Sequence, residues 1–240
     1  MNFGIIDLNI VPVRLKDDSK SEMISQFFFG ETLTVINKFE KWSFVESNLD
    51  NYRGWIRNLH FKPITKNQNE VIESQKKKFS STEIRLTKNN DTIEVPTGSL
   101  ISSSKFLGYK FEILSSNVNF EKTAKGFLNS PYLWGGKTKN GIDCSGLVQS
   151  IYKTINKILP RDSKDQSKIG NAIHESFELG DLAFFGKNKE NITHVGILLN
   201  NNEILHSYGR VRIDKFNEKG IFNTEENRIT HKLQFIKRVS

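Results

Sequence analysis

The chain has a single cysteine, Cys144, and five histidines among 240 residues, so any thiol chemistry must run through that one side chain. Cys144 follows a segment kept out of helix by Gly135, Gly136 and Gly141. After it, Leu147, Val148, Ile151, Tyr152 and Ile155 recur at +1, +4, +5 and +8 from Leu147. That spacing is one face of an α-helix, predicted from Cys144 to about residue 158. A thiol in a first helical turn meets the positive end of the peptide dipole and unpaired N–H groups, which favour thiolate. The same N–H groups can hold an oxyanion. A lone cysteine more commonly fills core space, so the nucleophilic reading needs a base beside it.

His194 opens the apolar run Val195-Gly196-Ile197-Leu198-Leu199. The turn-forming Asn200-Asn201-Asn202-Glu203 follows, then Ile204-Leu205-His206-Ser207, which together read as a β-hairpin. A loop centred on Asn200 makes His194 and His206 directly opposed, and one centred on Asn201 makes them diagonal neighbours on one face. Direct pairs lie about 4.5–5.5 Å apart at Cβ and diagonal pairs about 7–8 Å. One imidazole then serves the thiol and the other orients the first, the logic of a nucleophile–base–orienter triad. A loop of even length places them on opposite faces and removes the argument. Chance spacing and a zinc site of Cys144, His194 and His206 are the competing readings. His60, His174 and His231 show no such context and are expected at the surface. Gly136-Lys137-Thr138 imitates the end of a phosphate-binding loop, but Pro131 stands where that motif requires glycine. Asp143 and Asp162 are too far apart in sequence to be paired as acid and base.

The elements that must position these groups change character along the chain. Residues 1–64 read as short strands: Val11, Val13 and Leu15 alternate, a turn falls at Gly30-Glu31, and Tyr52-Arg53-Gly54-Trp55-Ile56 closes the segment. Such strands indicate a small barrel. Residues 65–82 are polar and predict a linker. Residues 83–115 are β-like again around a Pro96-Thr97-Gly98 turn and predict a second, degenerate barrel. From residue 116 to 240 helices come first and strands follow, beginning with a short helix that Asn119 caps and that runs through Leu128. That order predicts an α+β domain.

Composition narrows the function classes. The net charge is +8, yet Lys and Arg are scattered and the dense run Lys76-Lys77-Lys78 lies in the polar linker, the pattern of a solvated segment. Basic residues interleaved with aromatics, as in nucleic-acid binding, are missing. One cysteine permits no disulfide within the chain. No apolar run approaches the roughly 18 residues of a membrane span, and the start Met1-Asn2-Phe3-Gly4-Ile5-Ile6-Asp7 does not read as a signal peptide. The expectation is a soluble cytoplasmic protein, and Asn191-Ile192-Thr193 is then a chance glycosylation sequon.

Two resemblances emerge from these residues. Val13-Arg14, Gly30-Glu31, Trp42-Ser43-Phe44-Val45 and the closing Tyr52-Arg53-Gly54-Trp55-Ile56 resemble a bacterial SH3 (SH3b) domain. Pro131-Tyr132-Leu133-Trp134-Gly135-Gly136 and Gly141-Ile142-Asp143-Cys144-Ser145-Gly146-Leu147-Val148 strongly resemble the NlpC/P60 family of cell-wall cysteine peptidases. Leu159-Pro160-Arg161-Asp162-Ser163 with Gln166, Gly180-Asp181-Leu182-Ala183-Phe184-Phe185, His194-Val195-Gly196-Ile197 and Ile204-Leu205-His206 continue that match in order.

The second resemblance implies a papain-like core and a triad of Cys144, His194 and His206, with the Tyr132 hydroxyl joining the Cys144 N–H in an oxyanion hole. It implies substrate contacts at Asp143, Ser145, Asp162 and Ser163, with no metal or other cofactor. It also implies cleavage of the γ-D-glutamyl–diamino acid bond of peptidoglycan stem peptides. An SH3b domain beside it resembles the cytoplasmic recycling branch, which acts on L-Ala-γ-D-Glu-diamino acid muropeptides. In that branch the barrel walls off the cleft, and Glu22, Tyr52 and Asp143 suit a site that grips the free amine. The diamino acid, diaminopimelate or lysine, stays open. So do a wall-binding role carried by the barrels and an acyl-transfer or lipid-hydrolysis role for the Cys–His pair.

Overall fold

The structure is a computed structural model that describes residues 2–111 and 119–239. Two compact units divide the chain. The first comprises Met1–Val118, Trp134–Gly136 and Ser150–Ile158, and the second Asn119–Leu133, Lys137–Gln149 and Leu159–Ser240. Among the described residues no helix is long and apolar enough to cross a membrane.

The first unit is built on a seven-stranded antiparallel sheet. Its spatial order is Met23–Phe28, Ile10–Arg14, Arg53–Arg57, Trp42–Ser47, Thr32–Lys38, Asn2–Ile5 and Lys62–Ile64. Alternation sends Val11 and Val13 inward to a core with Ile6, Phe27, Leu33, Val45, Ile56 and Phe61. The expected Gly30-Glu31 turn is present, and Gly30 sits at φ +85° with the Leu100 carbonyl oxygen only 2.1 Å from where a Cβ would lie. Only glycine fits both the dihedral and the space.

Two expectations for this unit are corrected. The 65–82 stretch carries a helix, Lys66–Ser74, rather than a bare linker. Thr65 and Gln68 close a capping box, each side chain bonding the other's backbone N–H. The helix buries only Asn69 and Ile72, too narrow an apolar stripe to announce itself in a polar sequence. In the 83–115 stretch the described residues form a three-stranded sheet, Lys110–Phe111, Ile84–Lys88 and Asp91–Val95; residues 112–115 lie outside the description. Ile84, Leu86, Val95, Ile101 and Leu107 share one core with Ile5, Phe29 and Ile72. Three strands among the described residues close no separate barrel, and their apolar face is buried on residues of the segments before them.

The second unit holds a helix, Phe120–Lys125, capped by Asn119 accepting from the Lys122 N–H, and the start of the helix Cys144–Lys153. The latter stops short of residue 158. Asn156 turns left-handed at φ +59°, and Ile155, expected on the apolar face, is 42% exposed. Leu147, Val148, Ile151 and Tyr152 are buried as predicted. An antiparallel sheet follows in the order Asn171–Ile173, Arg228–Arg238, Leu182–Asn188, Asn191–Asn200, Glu203–Tyr208, Arg210–Asn217 and Gly220–Asn223. Gly220–Asn223 pairs back onto Arg228–Arg238. The eleven-residue last strand thereby closes the sheet on itself, around Ala183, Phe185, Leu198, Ile204, Phe216, Ile221 and Ile236.

Within the first unit, Lys153 and Glu31 form a fully buried ion pair at 2.5 Å. The ammonium also lies 5.6 Å from the centre of the Phe28 ring and 5.8 Å from that of Phe79. Removing one partner strands a charge where water cannot reach it, at a cost of about 3–5 kcal/mol, whereas apolar replacement of both is nearly neutral. Glu31→Ala is therefore expected to lose stability on that scale in urea unfolding. Glu31→Leu combined with Lys153→Met should recover most of it. A loss below about 1 kcal/mol in the single variant would show that the charge is compensated another way.

Candidate active site

The hairpin register brings the two histidines together, by a route the loop length alone would have hidden. Asn200 pairs with Glu203 across a two-residue turn, the even length that by itself puts His194 and His206 on opposite faces. A bulge between Leu198 and Asn200 shifts the register by one, so Leu198 pairs with Ile204 and Ile197 with Leu205. Extended two residues, that register sets His206 across from Gly196 and makes His194 its diagonal neighbour on the same face. A Cβ on Gly196 would lie 3.1 Å from the His206 Cβ and 2.7 Å from Ile204 Cδ1. Glycine at that position lets the second imidazole lie close over the strand.

The result is a buried hydrogen-bonded chain. His194 Nε2 lies 2.9 Å from His206 Nδ1, and His206 Nε2 lies 3.1 Å from Asp214 Oδ2. Arg212 holds Asp214 from the far side, Nη2 to Oδ1 at 3.0 Å, and its Nη1 reaches Glu225 at 2.8 Å. Burial, then the neighbouring His206 and His231, push His194 well below the ordinary histidine value. Burial also lowers His206, although the Asp214 bond opposes it. Both rings are neutral at physiological pH.

Cys144 lies at the start of its helix as predicted and is buried. Its sulfur accepts from the backbone N–H of Val195, the residue following His194. Hydrogen bonds between Tyr132 N–H and the Gly209 carbonyl (2.9 Å), and between Ser207 Oγ and the Ile142 carbonyl (2.8 Å), tie the segments flanking the cysteine to the histidine-bearing sheet. The helix start favours thiolate less than expected. Burial, followed by the Asp143 charge, pushes the thiol up to about 12, against the Val195 N–H, Arg161 and the Ser145 N–H. The resting site therefore pairs a neutral thiol with a neutral imidazole.

Asp143 caps the helix by accepting from the Gly146 N–H at 2.7 Å. Buried Arg161 binds both of its oxygens, at 3.1 and 2.5 Å, and also donates to Ser145 Oγ at 2.8 Å. This carboxylate is committed to the helix start and its guanidinium, and Ser145 to the same group. Asp162 and Ser163 sit at the start of the short helix Ser163–Gln166, Asp162 exposed and Ser163 half-buried. Tyr132 is 38% exposed, and burial followed by the Cys144 and Asp143 charges pushes its phenol up to about 12, so it stays a donor. Glu22 and Tyr52 belong to the first unit. There the exposed Glu22 carboxylate accepts from the Trp134 indole N–H at 2.6 Å, and Tyr52 is half-buried after the Trp42–Ser47 strand.

Three site residues escaped the sequence reading. His231, expected at the surface, stacks on His194 with ring centres 4.1 Å apart and planes 29° from parallel. Nothing local signals it, because only the closing of the sheet brings the last strand there. Asp214 and Arg212 alternate along a strand like solvated charges, and Arg161 was legible only as part of a motif. Nitrogens of His194, His206 and His231 lie within 4.8 Å of one another, and among the described residues Cys144 does not join them. Two stacked rings direct their in-plane lone pairs side by side, and the third ring is already bonded to the first. The cluster thus fits hydrogen bonding and stacking better than the convergent donors of a metal centre.

Comparison with known proteins agrees with this geometry. The NlpC/P60 family model matches residues 129–226, and the model for the bacterial dipeptidyl-peptidase Sh3 domain matches residues 15–60. The gamma-D-glutamyl-L-lysine dipeptidyl-peptidase of Bacillus subtilis is 42% identical over 89 residues, 36% of this chain and 30% of that protein. Its Bacillus cereus namesake is 40% identical over 88 residues, 35% of this chain and 26% of that protein. The matched stretch thus spans less than a third of these two relatives. A crystal structure of an NlpC/P60 family protein from Bacillus cereus superposes with a TM-score of 0.74 at 20% identity, covering 98% of this chain and 99% of that one. At that identity the likeness speaks for the fold. Family match and site geometry converge on one region, so the segment bearing Cys144, His194 and His206 is an NlpC/P60 domain, of a cysteine peptidase family, and residues 15–60 are a bacterial dipeptidyl-peptidase SH3 domain.

Proposed function

We propose that the chain is a cysteine endopeptidase that cleaves the γ-D-glutamyl–diamino acid bond of peptidoglycan stem peptides, acting on recycled muropeptides with a free N-terminal L-Ala. The observation that carries the reading is the 2.9 Å bond between His194 and His206, beside a helix-start thiol that accepts from the Val195 N–H. The names of the Bacillus relatives support the γ-D-glutamyl bond and favour lysine as the diamino acid.

Mechanistically, His194 Nδ1 takes the Cys144 proton as sulfur attacks the γ-carbonyl carbon. The carbonyl oxygen gains negative charge, and the Cys144 N–H and Tyr132 hydroxyl donate to it. His194 returns the proton to the departing diamino-acid nitrogen, and the C–N bond breaks to leave a thioester. Water attacks that thioester, giving one proton to His194, which passes it to the departing sulfur to regenerate the thiol. The dipeptide acid releases its remaining proton to solvent and leaves as its carboxylate. Asp162 and Ser163 are assigned to the peptide, as are Glu22 and Tyr52 to its amine, and Ser145, held by Arg161, serves binding through its place in the helix start. The committed Asp143 serves binding by fixing the helix start. A recycling role on free muropeptides carries with it a cytoplasmic setting.

Incubation with L-Ala-γ-D-Glu-L-Lys and its diaminopimelate counterpart, followed by mass spectrometry, should show release of L-Ala-γ-D-Glu. Cys144→Ala should lower turnover by roughly a thousandfold or more. Equal turnover in that variant, or none in the wild type with either peptide, would sink the reading.

The neutral resting pair predicts a second outcome. Because burial holds His194 well below 6.5, the acid limb of kcat/KM should fall well below pH 6.5 rather than at it. Stability moves with the same groups. His194, His206 and His231 all have lowered values, His231 to about 4, so below pH 6.5 the unfolded chain binds more protons than the folded one. Stability is complete above pH 6.5 and falls with acidification, by about 1.4 kcal/mol per pH unit for each such histidine until its folded value is passed. Thermal unfolding from pH 7 to pH 4 measures this, and His231→Gln should make the slope shallower. An unchanged slope would show that His231 titrates normally.

A further inference from the structure

We propose that Asp214 is a positioning residue that fixes the proton arrangement of both active-site histidines and so leaves Nδ1 of His194 as the base. Its kinetic consequence rests on the peptidase reading above, whereas the proton arrangement is a property of the resting protein.

The placement follows from strand pairing. Ile204 pairs with Asp214 and His206 with Arg212, so the carboxylate is the diagonal neighbour of the imidazole on the same face. It is buried and directs Oδ2 at His206 Nε2 from 3.1 Å. Burial alone would raise its pKa, but the His206 and Arg212 bonds outweigh it and hold the group below the usual carboxylate value. An ionised carboxylate only accepts. His206 must therefore carry its proton on Nε2, which leaves Nδ1 of that neutral ring as a lone pair. The neighbour 2.9 Å away, His194 Nε2, must then be the donor. A neutral imidazole has one N–H, so Nδ1 of His194 is bare. One carboxylate thus sets two tautomers in sequence. When His194 becomes imidazolium during the reaction, its Nε2–H still points along the same chain toward the negative charge.

Arg212 completes the device. Its Nη2 donates to Oδ1, while its Nε lies 2.8 Å from Oδ2 without hydrogen-bond geometry. The directional bond is thus on the Oδ1 side and fixes the carboxylate, and Glu225 anchors the guanidinium in turn. In Asp214→Asn the same bond keeps the amide oxygen on the Arg212 side and turns the NH2 group toward His206 Nε2. His206 then accepts there and carries its proton on Nδ1, which donates to His194 Nε2 and drives the His194 proton onto Nδ1. The base is lost while shape and burial are kept.

The test is nitrogen-15 NMR of histidine-labelled protein near pH 7.5, combined with kinetics. In the wild type, His194 and His206 should both be protonated on Nε2. In Asp214→Asn both should shift to Nδ1, with kcat reduced by roughly 10³–10⁴, the scale of such a tautomer reversal in a serine protease triad, and KM within about twofold. A merely structural role would move KM and thermal stability and leave the tautomers alone. Wild-type protein with the His206 proton on Nδ1 overturns the proposal, and so does an Asp214→Asn enzyme with unchanged tautomers or kcat within threefold. Should the variant not fold, the wild-type spectrum still decides. That spectrum needs no substrate, so a failure of the assigned reaction is read separately.

Discussion

Two imidazoles buried within 2.9 Å of each other constrain much of what surrounds them. Each neutral ring has one donor and one acceptor, and burial forbids leaving either unmatched at low cost. A chain of such rings needs an end that only accepts and another that can donate into it. The carboxylate of Asp214 is the first, and the thiol of Cys144 suits the second. The bulge, the glycine across from His206 and the closing last strand can all be read as conditions for holding this chain together. The bulge restores the shared face, Gly196 makes room for the ring, and the last strand brings His231 against the face of His194.

The same burial decides how the nucleophile is activated. A helix N-terminus favours a negative group by about 0.3–1 kcal/mol, or about 2 in partly buried settings. Raising the thiol from 9.0 to about 12 corresponds to about 4 kcal/mol at 1.36 kcal/mol per unit. Desolvation wins, so the dipole contributes to catalysis after the proton has moved rather than before. Its N–H groups then meet charge that exists only as the reaction proceeds, where their stabilisation is differential.

What could be read from the sequence was local. Cys144 opening a helix follows from Gly141 and the Leu147, Val148, Ile151 periodicity, and the hairpin from one apolar run on each side of three asparagines. The single-residue slip at Leu198–Asn200 could not be read, because a bulge is chosen by the whole sheet and leaves no signature in turn residues. The helix beside the first barrel was hidden by polar composition, and the stretch after it looked like a barrel because strand pattern reports pairing but not strand number. Asp214 and His231 were illegible for a different reason. A charged residue alternating in a strand looks solvated until sheet closure buries it, and that closure joins residues 220–223 to the chain's last strand.

The buried charges near the site follow one further rule. Asp143 is matched by Arg161 and Asp214 by Arg212, while the thiol and three histidines are neutral at pH 7. An unmatched carboxylate beside Cys144 would oppose the sulfur anion and the tetrahedral oxyanion directly, since Coulomb energy in a dry site is several times its value in water. Pairing each carboxylate with a guanidinium keeps its structural use, a helix cap in one case and a tautomer lock in the other, while offsetting part of its field at the reacting atoms. The arginines therefore do more than balance charge. They let acidic groups organise a site whose first uncompensated charge appears only as sulfur attacks, which is where fixed donors lower the barrier most.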